Sequence, residues 1–514
     1  NSKLLPLVSK YRGITPSSME AEEPLVQDIE LDVTEVENIV IDGVDSKITG
    51  LRIVGKILLL AACMVLLYRN NLQSINILLL IIGVFWSITK ILTRTSIFAN
   101  REINDRDLTV KRHVKLLSLV VLGLVVFSVI SASIFLNFSS QVGGDSENFN
   151  SSNYEDGSFQ NLVKTSVSSE NSSFFGTLAQ YLVSDEQTSP NVVLPTQKYE
   201  IIPLESDEVS ITWFGHSSIL IRSNNATIII DPIFGEDNMD PLFLGPSPFP
   251  FEHNYVLEDL PPIDYVLISH DHYDHLDMGT ISYLKDSKFY VPLGVKSHLL
   301  QWDVQGENIQ EFDWYDEANI TEQLDIAFTP AQHFSGRGVL NGDSTLWGSW
   351  VINHNNKSIY FSGDGGYSVD FLEIGNRYGP FDIAILESGQ YNEAWKEIHM
   401  FPAEVIQAGI DLNASTILPI HNSKFELALH SWDEPLERVA EEGEKRNVSV
   451  AKPMIGETFV LGESIPNDPW WRNVSDGSPS FLKTNSIVGG VTIAFAVLGL
   501  FMINADRWLR TSEN

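Results

Sequence analysis

The sequence predicts a layered α/β domain held between membrane-crossing helices, and three observations carry that expectation. Short β-rich runs bounded by Gly, Asn and Pro fill the chain from about residue 209 onward. Helix-like stretches alternate with the later runs, the order that packs helices on sheets. Four apolar runs, Leu51–Tyr68, Ile75–Leu92, Val114–Phe138 and Ile487–Ile503, are each long enough to cross a bilayer as a helix.

Taken in order, residues 1–50 form an acidic tail, with 4 basic and 10 acidic side chains. Residues 51–138 hold three expected transmembrane helices. The loop Thr93–His113 contains Arg94, Arg101, Arg106, Lys111 and Arg112, which places it in the cytoplasm by the positive-inside rule. The N-terminus is then cytoplasmic and the third helix leads out. Residues 139–198, rich in Ser and Asn, read as a flexible linker. Residues 199–464 form the folded domain, 465–486 a second linker, 487–504 a returning transmembrane helix and 505–514 a cytoplasmic tail. The chain is thus expected to be an integral protein of the cell membrane with its domain extracytoplasmic. Asn-x-Ser/Thr triplets at Asn137, Asn150, Asn171, Asn225, Asn319, Asn356, Asn413, Asn447 and Asn473 all fall at or within that exterior segment.

Within the domain, SITWFG, SSILIRS and ATIIIDP read as strands, followed by DYVLISH, KFYVP, LDIAFTPA, WGSWVIN, KSIYFSGD, FDIAILES, ASTILPIH and ETFVLGE. Helices are expected at Met278–Lys285, Val295–Trp302, Asp370–Tyr378, Pro402–Leu412 and Glu434–Arg446.

Composition excludes some functions. The chain of 514 residues has a formal net charge of −34. Residues 138–484 alone carry 17 basic and 52 acidic side chains. Such a surface repels a phosphate backbone, so nucleic acid is not an expected partner. The single cysteine, Cys63, rules out intrachain disulfides and cysteine-based zinc sites.

The histidines carry the chemistry. SHDHYDHLD places His270, His272, Asp274 and His275 directly after an expected strand, the density of N and O donors that a pair of cations needs. His333, Asp364 and His421 each follow the end of a later apolar run. Strand ends gathered on one face would bring together five histidines and two aspartates, three ligands for each of two cations with one carboxylate shared. Such donors suit Zn²⁺, with Mn²⁺ or Fe as alternatives. Two cations about 3.5–4 Å apart acidify a water and clamp charge on a phosphoryl or acyl oxygen.

SHDHYDHLD with its downstream His, Asp and His resembles the metallo-β-lactamase superfamily. WFGHSSILI, IDPIF, LPPIDYVLISHDHYDHLD, TLWGSW, FSGDGGY and IGNRYGPFDIAIL are similar to the branch that contains N-acylphosphatidylethanolamine-hydrolysing phospholipase D. The resemblance covers roughly residues 205–462 and implies an αββα sandwich with a dinuclear site at one edge. It implies that His270, His272 and His333 hold one metal, Asp274, His275 and His421 the other, with Asp364 bridging. Asp274 and Asp364 would also relay the proton. It further implies a substrate-facing Tyr273 and a substrate-side histidine at His399, although the preceding Ile398 departs from the polar residue of that branch. His216 reads as structural or supporting. His113, His253, His298, His354 and His430 receive no role.

The function expected is a membrane-anchored, dinuclear metal-dependent hydrolase. Its reaction is that of a phosphodiesterase of the phospholipase D type, acting on N-acylated or other phospholipids. The alternatives are a lactonase or ester hydrolase of a small metabolite, and a non-catalytic subunit of a membrane complex that retains the metal site.

Overall fold

A computed structural model describes residues 139–146, 148–167, 187–234, 246–338 and 341–474, together with Ser131, Ser133 and Phe135 of a preceding helix. The four apolar runs, apart from those three residues, and both tails lie outside the described residues. Among the described residues no helix is long and apolar enough to cross a membrane.

Strands β3 (Ser210–Trp213), β4 (Ile219–Arg222), β5 (Thr227–Ile230), β6 (Tyr265–Leu267), β7 (Lys288–Pro292), β8 (Ile309–Phe312) and β15 (Thr458–Val460) build a seven-stranded sheet in the order β15-β3-β4-β5-β6-β7-β8. A six-stranded sheet has the order β14-β13-β12-β11-β10-β9, from β9 (Glu317–Thr321), β10 (Leu324–Thr329), β11 (Ser349–His354), β12 (Lys357–Phe361), β13 (Ile383–Glu387) and β14 (Ile417–Ile420). Helices α1 (Met278–Tyr283) and α2 (Val295–Gln301) cover the first sheet. Helices α3 (Asp370–Tyr378), α4 (Pro402–Asp411) and α5 (Glu434–Arg446) serve the second. The result is an αββα sandwich.

Strand alternation explains the layers. Ile219, Ile221, Ile228 and Ile230 point between the sheets and meet Trp350, Ile352, Ile359, Phe361, Ile383 and Ile385. Their neighbours Leu220 and Ile229 point to the other face and pack with Ile281, Val295 and Leu299 of the helices. Val351, Tyr360, Ala384 and Leu386 do the same on the second sheet, against Phe371, Ile374, Val405 and Ile406. Both faces of the inner strands are therefore apolar, which is why they read as continuous apolar runs.

Direction places the site. β3 and β5 are each antiparallel to β4, and β5 is parallel to β6. β10 and β12 are each antiparallel to β11, while β12, β13 and β14 run parallel. The C-terminal ends of β3, β5 and β6 thus share one edge of their sheet, and those of β10, β12, β13 and β14 share one edge of theirs. Loops leaving such ends are where α/β sheets bind ligands.

Two boundaries differ from the expectation. The stretch 139–198 is not simply a tether, because its first part is folded onto the domain. A short hairpin, β1 (Tyr154–Glu155) and β2 (Ser158–Phe159), buries Phe159 in the inter-sheet core. Burying one Phe contributes about 1.5–3 kcal/mol, enough to offset the ordering of only one or two residues. Polar contacts supply more: Arg337 Nε donates to Val142 O, Trp302 Nε1 to Ser140 O, and Ser146 Oγ to Ser344 O. At the other end the domain runs past 464, because Trp470 and Trp471 are buried in the same core. The strands β8 and β9 were also missed. β9 has only half-buried and exposed residues, so its sequence lacks an apolar signal.

Candidate metal centre

Each candidate ligand hangs from a strand end. His216 follows β3, Asp231 follows β5, and Ser269 to His275 follow β6. His333 follows β10, Asp364 follows β12, and His421 follows β14. Two close approaches hold the loops together. Gly363 has φ +58°, and a Cβ there would lie 2.5 Å from Gly348 O and 2.8 Å from Ser269 Cβ. A side chain at Gly363 would push Asp364 off the SHDH loop. His216 and His421 have φ of +51° and +65°, a region non-glycine residues seldom occupy. They are held there by each other, His216 N donating to Asn422 O and His421 N to His216 O.

The structure brings the seven expected ligands to one place, in two groups. His270, His272, His333 and Asp364 form one, with one ligand atom from each within 4.8 Å of the others. His216, Asp274, His275 and His421 form the second by the same measure. Asp364 joins them: its Oδ2 is 3.8 Å from both His270 Nε2 and His333 Nε2 and 3.2 Å from His275 Nε2, and its Oδ1 is 3.1 Å from His421 Nδ1. His270 Nε2 and His333 Nε2 approach His272 Nδ1 to 2.9 and 3.3 Å. Nitrogens each about 2.1 Å from a tetrahedral Zn²⁺ stand roughly 3.4 Å apart, so the spacing suits a cation. His275 Nε2 and Asp364 Oδ1 are buried and make no hydrogen bond. Orphaned atoms that converge in this way are what a bound divalent cation satisfies.

The surrounding residues turn the rings inward. His275 Nδ1 lies 2.7 Å from Asp231 Oδ2. Ser269 Oγ donates to the same carboxylate oxygen at 2.6 Å and stands 2.9 Å from His270 Nδ1. His333 Nδ1 donates to Ile398 O at 3.2 Å. Each of these rings therefore spends Nδ1 on the scaffold and presents Nε2 to the centre, as supporting bonds do in metal sites. His216 Nε2 lies 2.9 Å from Asp274 Oδ2, so it stands among the ligand-capable atoms of the second group.

Electrostatics follow from burial. Desolvation pushes His270, His333 and His421 well below the ordinary imidazole value. Burial also opposes ionising Asp364, but His275 and His421 overcome it and hold its carboxyl well below the usual range. His275 is the exception: burial opposes its charge, and Asp364, Asp274 and Asp231 outweigh burial and raise it well above the ordinary value. Neutral histidines around ionised carboxylates are the protonation state in which these side chains bind metal.

Other expected residues are placed differently. The Tyr273 hydroxyl donates to Arg337 O at 2.7 Å, and the Arg337 guanidinium sits 4.0 Å above its ring. The tyrosine braces the loop and its side chain stays half-buried. His399 is at the centre, its ring 5.3 Å from those of both His333 and His421. His298, given no role, is buried with Nε2 3.3 Å from Asp271 Oδ2.

Sequence reasoning gave Asp231 no supporting role and missed Asn161. Asn161 Nδ2 donates to His333 O at 2.7 Å, and its Oδ1 accepts from His333 N at 3.1 Å and Trp347 Nε1 at 3.1 Å. Asp231 had a signal, as the acidic end of an apolar strand. Asn161 had none, lying 172 residues from its partner.

The sequence is similar to known proteins. A family model described as the beta-lactamase superfamily domain matches residues 226–422. An uncharacterized protein of Mycobacterium tuberculosis is 37% identical over 334 residues, covering 63% of this chain and 88% of the relative. N-acyl-phosphatidylethanolamine-hydrolyzing phospholipase D 1 of Caenorhabditis elegans is 32% identical over 226 residues, 41% of this chain and 62% of the relative. The mitochondrial enzyme of the same description in Saccharomyces cerevisiae is 35% identical over 239 residues, 44% of this chain and 50% of the relative. Among solved structures, a metallo hydrolase of Ignicoccus hospitalis is 24% identical with a TM-score of 0.39, covering 50% of this chain and 100% of its own.

Proposed function

The chain belongs to the metallo-β-lactamase superfamily and is a metal-dependent hydrolase, and from that premise we propose that it cleaves phospholipids at the phosphodiester bond, as a phospholipase D does. The observation that carries the proposal is the pair of histidine–carboxylate groups joined through Asp364. The two relatives named as phospholipases D support the choice of a phospholipid over a lactone or other small ester.

In this reading His270, His272 and His333 would hold one divalent cation, Asp274, His275 and His421 would hold the second, and Asp364 would serve both. Zn²⁺ is the first choice for an all-N/O set dominated by imidazole, with Mn²⁺ and Fe behind it. Bound there, such a pair supplies an acidified water and neutralises charge that develops on phosphoryl oxygens. The chain supplies orientation: Asp231 and Ser269 fix the rings of His275 and His270, and Asn161 fixes the backbone of His333. His399, beside both groups, is placed to give a proton to the departing alcohol. The overall change adds water across the phosphorus–oxygen ester bond, releasing phosphatidic acid and the free headgroup alcohol. The apolar runs at both ends anchor the chain in the cell membrane with the domain outside, which holds the site beside its lipid substrate.

The test is metal content and turnover of the purified full chain against a His270→Ala, Asp364→Ala variant. About two metal ions per chain, with phosphatidic acid released from N-acylphosphatidylethanolamine only by the unaltered chain, is the expected result. Turnover of lactones without phospholipid cleavage would reject the phospholipid reading, and absence of metal in a folded sample supplied with Zn²⁺ would reject the dinuclear site.

A further inference from the structure

Glu387 is the last residue of β13, fully buried at 0% exposure. A carboxylate there loses its hydration and gains nothing from packing, so it needs a polar reason to be present. Its Oε1 accepts the backbone N–H of Met400, the residue after His399. Its Oε2 faces His399 Nδ1 at 3.5 Å, and among the described residues neither atom makes a hydrogen bond elsewhere. One carboxylate thus grips the His399 loop by its backbone and faces the ring with its free oxygen. The ring stacks on His421 at an interplanar angle of 14° and carries a ligand-capable nitrogen within 4.8 Å of Asp364 and His421. The His399 side chain keeps 11% exposure, and Nδ1 is wholly buried against Glu387, so the accessible part of the ring is elsewhere.

We propose that Glu387 is a positioning residue: its buried carboxylate takes the Nδ1–H of His399, which fixes the ring and aims its Nε2–H at the departing alcohol. The present gap exceeds a hydrogen bond by about 0.5 Å, and acid–base pairs of this kind close when substrate binds. The carboxylate–imidazole arrangement holds one ring nitrogen so that the other meets the substrate in a single protonation pattern. Its oxygens bond none of the seven residues assigned to the cations, so it acts on the site through His399.

This inference rests on the hydrolase reading for its consequence, but the pairing is testable apart from it. Glu387→Gln keeps an oxygen for Met400 N–H and removes the charge, so it separates positioning from a structural role. In the purified, Zn²⁺-supplied full chain with N-acylphosphatidylethanolamine as probe, whose leaving alcohol needs a proton, it is expected to lower kcat on the order of 10- to 100-fold, with KM, metal content and melting temperature unchanged. His399→Ala is expected to lower kcat as well, and adding Glu387→Gln to it should cost nothing more. Glu387→Asp, which keeps the charge on a shorter arm, should recover part of the loss. Independent of turnover, diethyl pyrocarbonate labelling of His399, read by mass spectrometry, should change severalfold in rate in Glu387→Gln. Losses that multiply in the double variant, or a fall in metal content that tracks kcat, would overturn the proposal. Unchanged labelling of His399 would overturn it too, including in a preparation that shows no hydrolysis at all. Absence of metal-dependent turnover in the unaltered chain, with labelling still sensitive to Glu387, would instead sink the hydrolase reading and leave the pair standing.

Discussion

Asp231 shows how much a residue next to the centre controls without binding metal. Its buried carboxylate bonds the Nδ1 of His275 directly and reaches His270 through Ser269. Asp231→Asn keeps the shape but turns one acceptor into a donor that cannot serve both partners. Metal affinity is expected to fall roughly 10- to 100-fold, measured by competition with a chromophoric chelator, with the melting temperature of the metal-free chain little changed. The lowered histidines set the pH behaviour. A depressed imidazole value means that the neutral, metal-binding form persists as pH falls through the ordinary 6.5. Retention of the cation assigned to His270, His272 and His333 is therefore expected to hold near pH 6 and to fail only at lower pH, while the cation assigned to His275, whose ring its carboxylates hold charged, is expected to be lost first. Dialysis at a series of pH values followed by metal analysis checks this. Loss of both cations together with a midpoint at or above 6.5 would contradict the burial argument.

At the scale of elements, the strap at 139–163 changes what counts as the domain. It reaches from α2, where Trp302 Nε1 donates to Ser140 O, to the loop after β10, where Asn161 pins His333. Asn161→Ala would leave the His333 N–H without this acceptor, at a cost of about 1–3 kcal/mol. The expected signature is a lower melting temperature together with weaker metal retention by the His270, His272, His333 group. A loss of stability with metal binding intact would show that the strap only packs. The helices were legible because their apolar positions recur at helical spacing, as in α3 with Phe371, Ile374 and Gly375 buried on one side. The hairpin of β1 and β2 was not, since two-residue strands carry no periodicity.

For the whole molecule, acidity and apolar runs make separate predictions. The net charge of −34 opposes association with nucleic acid, so added DNA is expected neither to bind nor to compete with a phosphodiester probe at physiological salt. The four apolar runs predict that the full chain stays with membranes through an alkaline carbonate wash, whereas release into the supernatant would remove the anchoring proposal.

Two kinds of information separate here. The helices of the domain, its strands apart from β1, β2, β8 and β9, the layered class and the seven metal-binding candidates were legible along the chain, because periodicity and a dense H-x-H-x-D-H run are local patterns. Folding alone decided that Asp231 orients two rings at once, and that Asn161 and Glu387 reach the centre. The same packing sets the Tyr273 hydroxyl on Arg337 O. These contacts join residues far apart in sequence, and only the packing of two sheets with their C-terminal edges together brings such partners within hydrogen-bond range.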